Sequence, residues 1–598
     1  MAKSRPASVR ACDVLAASLK HQGVDVVFGI VGYPMYMLAA SLQAAGVKYV
    51  GCHNEQAASY AAAAVGYLTG RPGGVMVVTG PGVVHAVAGM ANAKANCWPM
   101  ICIGGSHERR ERGRGAFQEV GAAGDCHQLD YVRPAAKYAA ALDDARRIPF
   151  FVEQAVRYAT LGRPGAAYLD VPADLMREFI PVGSDAARQP PRCPGPRLTQ
   201  AAPADVAAAV ALLRGARAPL LIIGKGAQYA RCTDELRALA EATSMPFLPT
   251  PMGKGCLPDE HPLCVAAARS AALRGADVVL LVGARLNWIL HHGDEPRYAA
   301  GARFIKIDVA EEGMHDGHTA DVALVGHAKA VLAQLNAAVG VGGGATPLFA
   351  VAPESAWART LAAKVSANAQ ASAALAADRS VPMNYYCALT AIQAALPADA
   401  IIMSEGANTM DIGRTILRNS LPRSRLDAGT FGTMGVGMGQ VMAACVVHPE
   451  RKVVAVMGDS AFGFSGMEYE TVVRYRFNAL VIVLNNNGIA GGAAPWKEEW
   501  SADTAGALRA PPFALKPSNN YEQMAAVFGG EQYLARTPDE LEAALPAALA
   551  HTGPAIMHVR IDPLAGRKKQ EFEFDPTGAA AKKKVAKAAA KAQQAAKL

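Results

Sequence analysis

Short apolar runs separated by Ala-rich amphipathic stretches recur along most of this chain, and Gly, Asp, Asn or Pro stops each run. Between about residues 10 and 185, the runs Val24 to Ile30, Gly74 to Val78, Met100 to Ile103 and Ala167 to Leu169 alternate with helical patterns, as in a βα repeat. The segment Gln189-Pro190-Pro191-Arg192-Cys193-Pro194-Gly195-Pro196 breaks regular structure and reads as a linker. A second series follows, with strands at Leu220 to Ile223, Val278 to Val282 and Phe304 to Ile307. The chain loosens around Gly340-Val341-Gly342-Gly343-Gly344 and passes through a helical connector to Pro382. A third βα series then runs to Ile561-Asp562-Pro563. The expectation is an α/β protein with three doubly wound parallel-sheet domains, at residues 1–188, 189–345 and 346–565. Residues 566–598 follow as a lid segment and a flexible basic tail, Ala/Lys-rich from Ala579 and without an apolar face.

Length and composition narrow the class. A chain of 598 residues exceeds one hydrophobic core and calls for about three or four domains. Hydrophobic residues make up 51%, yet no apolar run reaches the roughly 18 residues of a membrane span, so no membrane partner is expected. Met1-Ala2-Lys3-Ser4-Arg5-Pro6 leads into the amphipathic Val14 to Lys20 without a secretory pattern. The eleven cysteines are odd in number and never spaced Cys-x-x-Cys. They argue against a disulfide framework or a zinc site and favour a reducing compartment, the cytoplasm. The net charge is +8, but from Arg567 onward nine Lys or Arg face three Asp or Glu, so the tail carries most of the excess. No nucleic-acid partner is expected of the nearly balanced body.

Candidate chemistry concentrates at two strand ends of the third series. Lys452 to Met457 is a short apolar strand, so Asp459 of Gly458-Asp459-Ser460 falls at a carboxyl end, where parallel sheets bind ligands. Leu480 to Leu484 repeats the arrangement before Asn485-Asn486-Asn487-Gly488. Neighbouring ends would place the Asp459 carboxylate, the Asn486 amide oxygen and the Gly488 carbonyl around one hard cation, leaving positions for diphosphate oxygens and water. Mg²⁺ suits that set. Gly, Asp and Asn also favour plain turns, so the short motif alone leaves both readings open. With its flanking strands it resembles the thiamine-diphosphate signature, Gly-Asp-Gly followed downstream by Asn-Asn, with Ser460 in place of the last Gly. A Ser amide and hydroxyl can still face phosphate.

Glu55 opens an Ala-rich helical run after Cys52-His53-Asn54, and by itself is a first-turn glutamate favoured by the helix dipole. Beside a thiamine site it reads differently, because a buried carboxyl at the pyrimidine N1′ promotes loss of the 4′-amino proton that makes the C2 ylid. Enzymes of this plan set the cofactor between two subunits. A homo-oligomer is therefore implied, a dimer at least and a tetramer in the fuller expectation. Thr79-Gly80-Pro81-Gly82 reads equally as a strand-ending turn or as backbone close to the aminopyrimidine. Phe117-Gln118-Glu119 lies near Arg109, Arg110, Arg112 and Arg114, and is either a solvated basic loop or one that presents Gln118 to a reacting carbonyl. His53 and His85 are further polar candidates, or packing histidines.

Three longer stretches carry a family resemblance. Ser404-Glu405-Gly406-Ala407-Asn408-Thr409-Met410-Asp411-Ile412-Gly413-Arg414-Thr415, Arg425 to Gly437 with Phe431-Gly432-Thr433-Met434, and Gly458 to Glu468 resemble 2-hydroxyacyl-CoA lyases, relatives of oxalyl-CoA decarboxylases. The likeness spans roughly residues 10 to 565 and includes Phe117-Gln118, where the decarboxylases tend to carry Tyr-Glu. It implies that Glu55 activates the cofactor, that Phe117 and Gln118 face substrate, and that Thr79 and Gly80 approach the ring. Met434 would be the wedge under the bent cofactor, with Gly432 and Thr433 beside the amino group. Tyr385, Ala407, Asn408, Thr409, Ser460, Ala461 and Ile489 would approach thiamine diphosphate, with Asp459, Asn486 and Gly488 on Mg²⁺. CoA contacts would come from Val31, Ala266, Ala267, Ala268, Arg269, Ser270, Arg414, Thr415, Gly566, Arg567 and Lys568, whose cations suit phosphates. Lys225, Arg285 and Asp308 would form a nucleotide pocket with ADP as its candidate occupant.

The implied reaction cleaves a 2-hydroxyacyl-CoA thioester to an aldehyde or ketone plus formyl-CoA, reversibly. Oxalyl-CoA decarboxylation is the alternative, and Phe117-Gln118 weighs against it. Acetolactate synthase-like carboligation and a non-catalytic regulatory protein are the remaining readings. Two departures stand out. Ala490-Gly491-Gly492-Ala493-Ala494 replaces a segment that in the family shows Tyr after Asn-Gly-Ile, which implies a wider acyl pocket or a looser loop. The Lys-rich end Ala596-Lys597-Leu598 resembles a peroxisomal address, a tripeptide that an Ala/Lys tail also yields by chance.

Overall fold

The computed structural model describes residues 8–119, 127–183, 188–342, 346–492, 497–517 and 519–568. Three parallel sheets account for the three βα series. The first runs in the order Lys48–Gly51, Val26–Gly29, Gly73–Val77, Met100–Ser106, Ala166–Pro172, Tyr138–Ala141. The third repeats that winding as Arg425–Asp427, Ile401–Glu405, Val453–Gly458, Ala479–Asn485, Ala555–Arg560, Glu531–Ala535. Between them in sequence lies a five-stranded sheet, Phe247–Pro249, Pro219–Ile223, Val278–Val282, Arg303–Asp308, Val322–Val325. The central strands are buried along their whole length, which is why they read as unbroken apolar runs rather than alternating ones.

In both six-stranded sheets the order reverses beside the first strand, and the crevice outside the carboxyl ends at that reversal is where open α/β sheets take ligands. Val26–Gly29 and Gly73–Val77 flank the first reversal; Ile401–Glu405 and Val453–Gly458 flank the second. A small antiparallel pair, Ser8–Arg10 with Phe179–Pro181, closes the first domain and has no counterpart in the sequence reading. The Pro-rich linker is irregular as expected, but it is strapped down: Gln22 Oε1 accepts from Cys193 N at 2.8 Å and Gln22 Nε2 donates to Pro191 O at 3.2 Å.

The first and third domains share one apolar core. Helix Glu55–Thr69 lies against helix Gly437–Val447, and where Gly439 meets Ala57 and Ala61 their backbones come close enough to exclude a larger side chain. A Cβ at Gly439 would sit 2.4 Å from Ala57 O. The connector helix Ala356–Ala376 instead packs on the middle sheet, burying Trp357 and Leu361 beside Leu220 and Ile222, with Trp357 Nε1 donating to Pro219 O at 3.0 Å. Residues Met1–Ala565 form one compact unit and Gly566–Leu598 another; the expected Ala/Lys tail lies outside the described residues. None of the helices among the described residues is long and apolar enough to cross a membrane.

Gly439→Leu is expected to prise the two helices apart and lower stability by about 1–3 kcal/mol, read as an earlier midpoint in chemical denaturation.

Candidate active site

The diphosphate-type half stands at the second strand reversal. Gly406, at φ 107°, ends strand Ile401–Glu405 and opens helix Ala407–Ile416, and a Cβ there would lie 3.2 Å from Gly458 N on the neighbouring strand. Asp459 starts the next helix and is 2% exposed. Its Oδ1 accepts from Ser460 N at 2.8 Å, while Oδ2 accepts from Gly488 N at 3.2 Å. The same Gly488 N–H reaches Asn486 Oδ1 at 3.2 Å, so the two side-chain oxygens converge on one backbone group. Burial pushes Asp459 up to about 6 against four backbone N–H bonds that hold it down. Tyr385 is buried, and burial with the nearby Asp459 charge raises its hydroxyl further.

The Asn cluster divides its work. Asn485 bonds inward, with Nδ2 3.0 Å from His558 Nε2, and His558 Nδ1 lies 2.7 Å from Glu522 Oε2. Asn486 and Asn408 both donate to Ala490 O, at 3.3 and 3.0 Å. Ala490 takes a left-handed φ of 64°, and its carbonyl ties the two strand-end segments together. The loop is also pinned from outside, since Ile489 N donates to Phe513 O at 2.8 Å and Leu515 N to Asn487 O at 2.9 Å. Ala493 and Ala494 lie outside the described residues.

The ring-type half stands at the first reversal. Asn54 caps helix Glu55–Thr69 through bonds from Gln56 N and Ala57 N, so Glu55 takes its first turn. Glu55 is not the solvated residue a first turn usually carries: its side chain is 13% exposed, and Oε2 lies 2.9 Å from His85 Nδ1. A Cβ at Gly82 would stand 3.5 Å from Glu55 Oε1, which places the Gly-Pro-Gly turn beside the carboxylate. Gly80 is held against the loop expected to face substrate, because a Cβ there would meet Gln118 O at 2.0 Å. Gln118 adopts φ 62° with a buried side-chain oxygen, and Phe117 is exposed with its ring edge-on to Tyr33. Glu119 shapes that loop by accepting from Gly113, Gly115 and Ala116 N–H groups. Burial opposes its ionisation, but those bonds prevail and hold it below the usual carboxylate range.

Sequence models of thiamine pyrophosphate enzymes match at three places: the N-terminal TPP binding domain over residues 9–126, the central domain over 206–335 and the C-terminal TPP binding domain over 404–559. The chain is 47% identical to human (Homo sapiens) 2-hydroxyacyl-CoA lyase 1 over 573 residues, 95% of this chain and 97% of the relative. The Arabidopsis thaliana 2-hydroxyacyl-CoA lyase is 42% identical over 583 residues, 96% and 99% of the two chains. The chain belongs to the 2-hydroxyacyl-CoA lyase family of thiamine-diphosphate enzymes. Escherichia coli oxalyl-CoA decarboxylase stands further off, 37% identical over 560 residues, 92% and 95% of the two chains.

The donors at Asp459, Asn486 and Gly488 are all hard oxygens, and among the described residues no group of three or more His, Cys, Asp and Glu competes for a metal. That set fits a small hard cation. Gly432 sits at φ 68° in an exposed turn with Thr433 and half-buried Met434, and Thr433 Oγ1 donates to Asn92 Oδ1 at 3.1 Å. Ala407 and Ile489 are exposed, Thr409 and Ala461 buried.

The residues expected at CoA and at a nucleotide make contacts within the protein. Arg269 turns inward, donating to Ile289 O and His291, and burial lowers its pKa; Ser270 and Ala267 beside it are exposed. Arg414 is 15% exposed, with Nε 3.2 Å from Asp427 Oδ2 and Nη1 3.1 Å from Asp411 Oδ1, while Thr415 bonds its own helix. Val31 is exposed; Gly566, Arg567 and Lys568 belong to the second unit. Lys225, Arg285 and Asp308 do line one cavity, shared with Asn96 and Arg163 of the first domain rather than confined to the middle one. Each is already engaged: Lys225 Nζ with Asn96 and Thr430, Arg285 with Ala95 O, and Asp308 with Arg163.

Several residues that shape the site left no sequence signal. Gln128 Oε1 accepts from Gly80 N at 3.3 Å, and Gln128 Nε2 is gripped by Gly105 O, Tyr168 and the buried Asp170. Glu468 Oε1 accepts from His53 N and Asn54 N at 2.9 and 2.8 Å, tying the third domain to the residue before Glu55.

Asp459→Ala is expected to abolish Mg²⁺-dependent uptake of thiamine diphosphate, followed by calorimetric titration. His85→Ala is expected to leave uptake intact and lower turnover by about tenfold, since it removes the group that orients Glu55, which a steady-state assay would show.

Proposed function

We propose that this protein is a thiamine-diphosphate-dependent 2-hydroxyacyl-CoA lyase, breaking the bond between the thioester carbonyl carbon and the carbinol carbon of a 2-hydroxyacyl-CoA. The hydroxyl proton is lost and the carbinol carbon leaves as an aldehyde, or a ketone if fully substituted. The carbonyl carbon gains a proton and leaves as formyl-CoA. The reverse condensation uses the same groups. The observation that carries this reading is the contact of Gly80 with Gln118, which sets a Phe-Gln loop against the turn beside Glu55. The close match to curated 2-hydroxyacyl-CoA lyases over nearly the full chain accords with it.

When bound, thiamine diphosphate supplies the carbon nucleophile and the electron sink for this cleavage. Asp459, Asn486 and Gly488 would hold Mg²⁺, and Gly406 opens helix Ala407–Ile416, whose N-terminal N–H groups would receive the diphosphate. Glu55 holds the proton at the pyrimidine nitrogen, kept from water by its partly buried position and oriented by His85. Gln118, in its left-handed loop position, donates to the thioester carbonyl. Gly432 and Met434 would meet the rings from the third domain.

A second copy completes the site. Within one chain, helix Glu55–Thr69 is packed on helix Gly437–Val447, so the ring half and the metal half of one chain are fixed through a shared core. Val31, Tyr36, Phe117, Phe431, Phe464 and Met467 are exposed apolar side chains that a partner subunit would cover. We assign a homodimer as the minimum and a tetramer as the working assembly. Ten free cysteines among the described residues favour a reducing, cytoplasmic setting.

The test is a substrate panel with added thiamine diphosphate and Mg²⁺. Formyl-CoA is expected from 2-hydroxyisobutyryl-CoA and straight-chain 2-hydroxyacyl-CoA thioesters, and turnover of oxalyl-CoA alone would reject the assignment. Glu55→Gln is expected to lower kcat by about 10²–10⁴ while retaining the coenzyme, measured on the same substrates.

A further inference from the structure

One fully buried carboxylate takes no part in the chemistry above. Glu405 is the last residue of strand Ile401–Glu405 and has no exposure to solvent. Its Oε1 accepts from Gly435 N and from Val436 N at 3.1 Å, and its Oε2 accepts from Gly437 N at 2.8 Å. These are three consecutive N–H groups in the turn that begins helix Gly437–Val447, immediately after Gly432-Thr433-Met434. On its other side Glu405 is bonded covalently to Gly406, which opens the diphosphate-facing helix.

The surroundings are built around this contact. A Cβ at Gly437 would lie 2.4 Å from Glu405 Oε2, with Met403 Cε at 2.2 Å and Met457 Cε at 2.4 Å, so a side chain at 437 crowds the carboxylate and the two methionine ends around it. Gly435 takes φ 86°, which an L side chain adopts only with strain. Burial raises Glu405 to about 8, opposed by the three N–H bonds. A group so costly to bury would add little as an ordinary helix cap, where an exposed Ser or Asp does the same work.

We propose that Glu405 is a positioning residue that fixes the height of the Gly432–Met434 turn relative to the diphosphate site. The strand that holds one end of the coenzyme thereby sets where the turn meets its rings. A coenzyme anchored at the diphosphate by a cation has its ring position decided by whatever the backbone offers some residues away. Here a single side chain spans that gap, because its backbone lies in one segment and its carboxylate lies in the other. The inference rests on the reading that Gly432 and Met434 face the rings.

The experiment compares two probes on full-length protein with Mg²⁺ present: thiamine diphosphate, and inorganic diphosphate, which lacks the rings. In Glu405→Gln an amide N–H₂ replaces one acceptor and faces a backbone N–H. Affinity for thiamine diphosphate is expected to fall by about tenfold, and affinity for inorganic diphosphate to stay within about twofold of wild type. Gly437→Ala, which keeps the glutamate but displaces Oε2, is expected to give the same selective loss, and the double variant no more than either single one. Gly437→Ala also decides the matter if Glu405→Gln does not fold. Equal loss of both probes, or loss of neither, overturns the inference while leaving the coenzyme assignment intact. Wild-type protein that binds inorganic diphosphate but takes up no thiamine diphosphate overturns the coenzyme reading and the inference with it.

Discussion

Asp459 is a carboxylate with almost no access to water, and the arrangement of the third domain follows from what that demands. Burial raises it to about 6, and only backbone N–H groups oppose the shift. A buried charge so weakly compensated is stable when a cation balances it. The strand reversal brings the Asp459 and Asn486 side-chain oxygens together on Gly488 N. Gly406 and Gly458 let two strands end side by side, and Asn486 and Gly488 arrive from the next strand over at the same level. Ala490 then receives N–H groups from both Asn408 and Asn486, so the absence of an aromatic there does not leave the loop untethered.

The rest of the molecule serves to hold two such strand reversals at a fixed offset. Domains one and three are joined by a helix pair too close for large side chains and by Glu468, which grips the backbone of His53 and Asn54. The middle domain joins at a third point. Lys225 donates to Asn96 Oδ1 and Thr430 Oγ1, and Asn96 Oδ1 also accepts from Thr430 N at 2.7 Å. Burial lowers Lys225 to about 7, so this junction of three domains holds an amine that is easily neutral rather than a solvated cation. The stretch from Thr430 to Gly437 is thus held from the first domain through Asn92 and Asn96, from the middle domain through Lys225 and from its own sheet through Glu405.

Much of this was legible in the chain. The strands at Val278–Val282, Val453–Gly458 and Ala479–Asn485 fall within a residue of the apolar runs that predicted them, because a parallel strand covered on both faces needs no polar alternation. Asp459, Asn486 and Gly488 could be read as a group because each follows its strand at a short, fixed distance. The cationic residues could not be read in the same way. Arg269 and Arg414 also bond protein acceptors, because a guanidinium is long enough to reach back, and those partners carry no sequence signal.

The sequence by itself determined three series of parallel strands and the residues that end them, since apolar runs and their stops are local properties, while the coenzyme class came from the resemblance of longer stretches to a known family. The tertiary structure alone decided which distant residues act on those ends. Gln128 supports Gly80, His85 meets Glu55, Glu468 holds Asn54 and Glu405 clamps Gly435 to Gly437. None of these pairs shares a periodicity or spacing, because a hydrogen bond between two folded segments is set by how sheets and helices stack, and stacking brings together residues that chain distance keeps apart.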